Sequence, residues 1–188
     1  MNKFLLPSVL LLSSSVAMSN EFAGTMTDHL NSEALSWINN PAVIDAIKSQ
    51  NTANANLSNA DILALDGKWR SGVNSGSSTL IDSTLSNPLS MYLKNVKGQY
   101  SDLYTEIFVM DNKGVNVGQS DITSDYWQGD EGKWQNTYSK GVGAVDIGDL
   151  EEDESTGAFQ SQLSTSIVDP ATGKVIGAVT IGISIDGL

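Results

Sequence analysis

Between Asp125 and Tyr138 the chain sets Tyr126, Trp127, Trp134 and Tyr138 among acids and amides, four large aromatic rings within fourteen residues. Flat apolar surfaces beside hydrogen-bonding groups are the mixture that lines a small-ligand pocket. The competing reading is that these rings cap an open end of a sheet, buried with their polar tips satisfied. Other chemistry is poorly served. His29 is the single histidine, it falls at a helix start, and no G-x-S-x-G elbow exists for it to serve, so a Ser-His-Asp reading fails. Without Cys there is neither a thiolate nucleophile nor a thiolate metal site. Gly141-Val142-Gly143 lacks the third glycine and the strand-to-helix setting of a dinucleotide fingerprint, and there is no P-loop. The run Asp146, Asp149, Glu151, Glu152, Asp153, Glu154 could offer oxygen ligands to a hard cation such as calcium. Its spacing is not that of an EF-hand, and a solvated loop is the plainer reading. Carboxylate pairs for acid–base work are available among 22 acids, but nothing singles one out. The inventory predicts a binding protein with no cofactor rather than an enzyme; a metal-dependent hydrolase is a weaker alternative.

Charge narrows the partners. With 22 Asp and Glu against 10 Lys and Arg, the net charge of −12 repels phosphate backbones and anionic lipid, so nucleic acid is not an expected partner. A hydrophobic content of 40% is enough to fold despite that charge, and 188 residues suit one domain.

The elements that must position the aromatic stretch divide into two halves. Met1-Asn2-Lys3, the apolar run Phe4 to Val16 and the small residues Ser15-Val16-Ala17 predict a signal peptide over residues 1–17, with an uncleaved anchor as the alternative. Residues 18–100 read as helical. Leu30, Ala34 and Ile38 share a helical spacing, and Asn40-Pro41 marks a kink or restart before Val43, Ile44 and Ile47. Ser58 with Asp61 resembles a capping box for a helix through Ile62, Leu65 and Trp69 that ends near Arg70. The Gly and Ser residues of 71–78 predict a flexible connection, and a third helix starts at Asn87-Pro88 and stops at Gly98.

From residue 101 to 188 the period drops to two. Tyr104 to Met110 reads as a strand, turned by Asp111-Asn112-Lys113-Gly114 into a short strand Val115 to Val117. Phe159, Ser161, Leu163, Thr165 and Ile167 alternate with Gln160, Gln162, Ser164 and Ser166, and a last strand sets Val179, Ile181 and Ile183 opposite Ala178, Thr180 and Gly182. The small residues on that second face leave room for something to pack or bind. Between the two hairpins an insertion carries a short helix around Glu131 to Tyr138 and a possible strand at Ala144 to Ile147. The expected fold class is α+β, a mainly antiparallel sheet with long helices on one face.

Three segments in this order resemble the extracytoplasmic Cache (PDC) sensor domains, PAS-like ligand-binding modules of bacterial chemoreceptors and sensor kinases. They are Val43 to Asn51 running on to Ile62–Trp69; Ile107 to Gly114 with Thr123-Ser124-Asp125-Tyr126-Trp127 beyond; and Ser166 to Ala178. The resemblance implies a single PAS-like sheet holding a ligand between its concave face and the insertion. By position it assigns Asp125, Tyr126, Trp127 and Trp134 to the pocket wall, an acid near Asp153 facing them, and Tyr104 and Tyr138 as further members. Carboxylate-binding members place cations in the pocket, whereas this insertion offers only Lys133 and Lys140 and the chain's one Arg is Arg70. That departure favours a neutral or cationic small molecule. The resemblance and the leader together imply a periplasmic or secreted domain. Cache sensors continue into a transmembrane helix, whereas this chain stops at Leu188, so a freestanding domain acting through a membrane receptor or sensor kinase is expected. The alternative is a protein-interaction or adaptor module with a degenerate pocket.

Overall fold

Helix-start chemistry sets the boundaries in the N-terminal half of the computed structural model, which describes residues 20–152 and 159–188. The expected signal peptide and Asp153 lie outside the described residues. Helix α1 (Ala23–His29) passes through one π-helical turn, Leu30–Ala34, into α2 (Leu35–Ile38). The chain then breaks and restarts at Pro41. The Asn40 side chain accepts from the Ala42 N–H and opens α3 (Pro41–Ala53), while a reciprocal Ser58–Asp61 capping box opens α4 (Asn59–Ser75). Asn87 caps α6 (Pro88–Gln99) by accepting from the Ser90 N–H.

Two expectations need correction here. Helix α4 runs past Arg70 to Ser75 and ends on Gly76 in the left-handed region, φ 73°. The Ser-rich connection is largely helical, because α5 (Thr79–Ser86) follows at once. The cause is burial: Ile81 of α5 joins Ile62 and Trp69 of α4 in a second apolar cluster with Val115 and Tyr126. Local serine content is outweighed by that packing.

The strands are β1 (Tyr104–Met110), β2 (Asn116–Gln119), β3 (Val145–Ile147), β4 (Glu151–Glu152), β5 (Phe159–Asp169) and β6 (Lys174–Ser184). All pair antiparallel in the order β2-β1-β6-β5-β3, with β4 also on β5. Helix α7 (Gly132–Gln135) and a 3-10 turn at Tyr138–Lys140 occupy the insertion, so the expected helix over 131–138 is broken at Asn136-Thr137. The architecture is α+β, an antiparallel sheet with the long helices on one face. Its helical face carries Ile107, Val109, Leu163, Ile167, Val179, Ile181 and Ile183, packed under Leu30, Ile38, Ile47 and Leu93. Among the described residues the opposite, outer face is covered by α7, the 3-10 turn and the segment 122–128.

One register shift decides which face each β1 residue uses. Tyr104 pairs with Ile183 and Glu106 with Gly182, so Thr105 is an extra residue between them. This bulge sends Tyr104 to the helical face and Glu106 to the outer one.

Candidate functional site

The outer face is built of lateral rows that follow from the register. Glu106, Gly182 and Gln162 form one row across β1, β6 and β5; Phe108, Thr180 and Ser164 form the next; Met110, Ala178 and Ser166 the third. Small residues on the central strand let the long side chains of its neighbours lie over it. A Cβ at Gly182 would stand 2.8 Å from Glu106 Cγ and would collide with Thr105 Oγ1. Only glycine leaves Glu106 free to reach across β6, where its Oε1 accepts from Gln162 Nε2 at 2.9 Å. Ser164 and Thr180 hydroxyls bond to each other at 2.9 Å in the next row.

Over the apolar end of this floor, Trp134 and Tyr138 stack with ring centroids 4.8 Å apart and pack on Phe108, Met110 and Ala178. Trp134 Nε1 donates to the Asp111 carbonyl at 3.1 Å, pinning the lid to the β1–β2 turn. Beside the lid a cleft of about 460 Å³ opens, bounded by Ser124, Lys133, Asp146, Glu151, Gln162 and Ser164. An adjoining chamber of about 120 Å³ reaches Glu106 and Phe108 and shares Ser124, Lys133 and Gln162 as walls. The larger volume lies within the ~300–1,000 Å³ of ordinary small-molecule sites.

The electrostatics of the cleft are one-sided. Glu106, Glu131, Asp146 and Glu151 line it against Lys133, whose Nζ pairs with Glu131 at 2.9 Å. Burial pushes the Glu106 carboxyl above its usual range, and the Gln162 hydrogen bond and the Lys133 charge pull it partly back. Burial likewise raises the Tyr138 hydroxyl, with the nearby Asp111 charge adding to it. Among the described residues no three His, Asp or Glu side chains converge as a metal site.

The expected site residues fall in three places. Trp134 and Tyr138 are together at the lid. Asp125, Tyr126 and Trp127 are joined instead to α4: Asp66, buried, accepts from the Tyr126 and Trp127 N–H groups at 2.9 and 3.1 Å. Arg70 bridges Asp66 at 2.7 Å and Asp125 at 3.0 Å, Tyr126 stacks on Trp69, and Trp127 Nε1 donates to the Lys113 carbonyl. This segment leads directly into Gln128 and the chamber wall. Tyr104 is on the helical face, where its hydroxyl meets His29 Nε2 at 2.6 Å and accepts from Trp37 Nε1 at 3.4 Å. Asp153 lies outside the described residues. Sequence reasoning passed over Glu106 and Gln162 as site residues and named Lys133 only as one of the insertion's two cations. The signal for Gln162 was present in the β5 alternation; the signal for Glu106 was a lone acid inside an apolar strand.

A more apolar groove of about 510 Å³ runs between α3, the start of α6 and β2. Its walls, Ala42, Ala46 and Leu89 among them, include no charged side chain. Its polar walls are Ser49, Gln50, Asn54 and Asn87, and the three amides already donate to Asp111 and the Val117 carbonyl.

The chain is an α+β domain with a polar cleft on the outer face of its sheet. No protein-family model matches the chain, and no curated protein does. Among solved structures it is similar to the V. cholerae histidine kinase DctB sensor domain, with 13% identity, 87% of this chain and 58% of that one covered, and a TM-score of 0.38. The ligand-binding domain of the Pseudomonas aeruginosa amino acid chemoreceptor PctC, in complex with GABA, shows 10% identity over 89% of this chain and 62% of that one, TM-score 0.38. That of the Campylobacter jejuni chemoreceptor Tlp3, in complex with 4-methylisoleucine, shows 12% identity over 84% and 62%, also at 0.38. The chain therefore spans 58 to 62% of the length of these structures.

Proposed function

We propose that this chain is a Cache-type sensor domain that binds a neutral or cationic small molecule in the outer-face cleft and signals through a partner protein, a membrane receptor or sensor kinase. The observation that carries the reading is the floor itself. On the outer face the half-buried Glu106 and Gln162 open into the chamber beside the aromatic lid, while the Ser164 and Thr180 hydroxyls are buried and bonded to each other. A face with that polarity in a solute-sized hollow is suited to binding. The excess of carboxylates disfavours an anion. Trp134 and Tyr138 cover the apolar end of the floor beside the ligand and hold Phe108 in place, and Asp125, Tyr126 and Trp127 shape the wall through their anchorage on α4. Export to the periplasm or medium is supported by the Met1–Ala17 pattern, and no described helix is long and apolar enough to cross a membrane. Occupancy changes the affinity for a partner to the extent that the ligand contacts two conformations differently.

Thermal-shift screening of amines, amino acids, polyols and organic acids tests the proposal. A ligand at a hundred times its Kd adds ~2.7 kcal/mol, and Trp134→Ala should abolish the shift. A protein that responds to none of them fits the adaptor reading instead.

A further inference from the structure

The Lys133 side chain is placed against the habit of a lysine near a surface. Its stem would ordinarily carry the ammonium to open water. Here the side chain is only 18% exposed, and Nζ lies over the Phe108 ring, 5.4 Å from its centroid, while pairing with Glu131. Phe108 is itself buried at 1%, in the middle row of the sheet floor. The ammonium thus rests on an aromatic face, with one carboxylate in contact and Glu106 across the same chamber. Glu106 has no Lys or Arg among the described residues at ion-pairing distance; its Oε1 accepts from an amide.

The Phe108 ring, the Glu106 carboxylate and the Gln128 and Gln162 amides around about 120 Å³, with Glu131 on the adjoining cleft wall, make a seat for an ammonium headgroup. A carboxylate there would face Glu106 with no cation but the one it displaced. We propose that the cleft takes an alkylammonium compound, and that Lys133 is a tethered occupant of its cation seat, displaced when the ligand binds. The inference rests on reading the cleft as a ligand site. The ligand's body lies in the adjoining 460 Å³, and Asp146 and Glu151 on that cleft's wall can receive the displaced lysine. Lys133 then sets a threshold: it keeps the seat neutralised when empty and competes with every cation that enters.

The test uses phenethylamine and putrescine as probes, with phenylacetate and 2-phenylethanol as controls, on the full chain by carbon–proton NMR and calorimetry. The expected spectrum of the free protein contains a lysine ε-methylene shifted upfield by the Phe108 ring, a signal missing from Lys133→Ala. Adding an amine should return that signal to its ordinary position. Lys133→Ala should bind the amine about tenfold more tightly, having lost both competitor and repelling charge, and Glu106→Gln should bind it about tenfold more weakly. A lysine signal at its ordinary position in the free protein, or an unchanged affinity in Lys133→Ala, overturns the proposal. Should phenylethanol or phenylacetate perturb Gln162 and Ser164 while amines do not, the site stands and the cation seat falls. If no probe perturbs those residues, the seat falls, and the thermal-shift screen decides the site separately.

Discussion

Substituting Gly182 by Ala puts the row geometry under direct load. The added Cβ would sit 2.8 Å from Glu106 Cγ, where ordinary contact needs 3.4–4 Å, and would also meet Thr105 Oγ1. Glu106 must move by roughly the difference, which breaks the 2.9 Å bond from Gln162 and leaves both polar groups half-buried. Overpacking costs ~1–3 kcal/mol, and losing a hydrogen bond to a charged group costs about 1.5–3 kcal/mol. Since Gln162 and Glu106 both border a wet cleft, the lower halves apply, giving about 2–4 kcal/mol in all. For a chain of this size that lowers Tm by roughly 4–16 °C. Urea denaturation of wild type, Gly182→Ala, Glu106→Ala and the double variant isolates the cause. The double variant should lose at least about 1 kcal/mol less than the singles predict by addition, because without the Glu106 side chain only Thr105 resists the new methyl. A Gly182→Ala protein within ~0.5 kcal/mol of wild type, or strict additivity in the cycle, would refute the reasoning.

Three further outcomes are expected. Asp66→Ala should cost about 2–4 kcal/mol in urea denaturation, because the Tyr126 and Trp127 N–H groups lose a buried acceptor, whereas Arg70→Met should cost clearly less because that side chain is exposed; equal costs would contradict this. Burial depresses His29 below its ordinary 6.5, with Glu33 opposing, so the unfolded chain protonates first and stability present above that value is lost as pH falls through the lowered one. His29→Gln should flatten that limb of the stability–pH curve, and an unchanged slope counts against a buried neutral imidazole. Glu106 is shifted the other way: its raised value means stability is full below 4.5 and falls as pH rises through the folded value. Glu106→Gln should therefore gain on wild type between pH 4 and pH 7, and a constant difference across that range would argue that the carboxyl is solvated.

Much of the fold is legible locally because its signals are local. Asn40-Pro41, Ser58 with Asp61 and Asn87-Pro88 each carry their own capping partners, so those helix starts need no tertiary information. The β5 and β6 alternation reads directly, since each strand keeps its large apolar side chains on one face and small or polar ones on the other, although both faces are largely buried. What is hidden depends on distant partners. Helix α5 exists because Ile81 reaches Trp69, which outweighs a serine-rich stretch. Tyr104 leaves the outer face because one bulged residue, Thr105, inverts the alternation, and a bulge has no signature in the strand's own composition. The aromatic stretch is a single run in sequence, yet hydrogen bonds to Asp66 draw Tyr126 and Trp127 to α4, while Trp134 and Tyr138 stack over β1. Glu106 and Gln162 meet only through β6, which no spacing rule encodes.

The central claim is that the outer face of the sheet holds the ligand. A crystal structure of the protein with the strongest hit from the thermal-shift screen tests it most directly. The account predicts ligand density in the outer-face cleft beside Phe108, bounded by Glu106, Ser124, Lys133 and Gln162. Density in the groove between α3 and α6 with the outer face unchanged would contradict it.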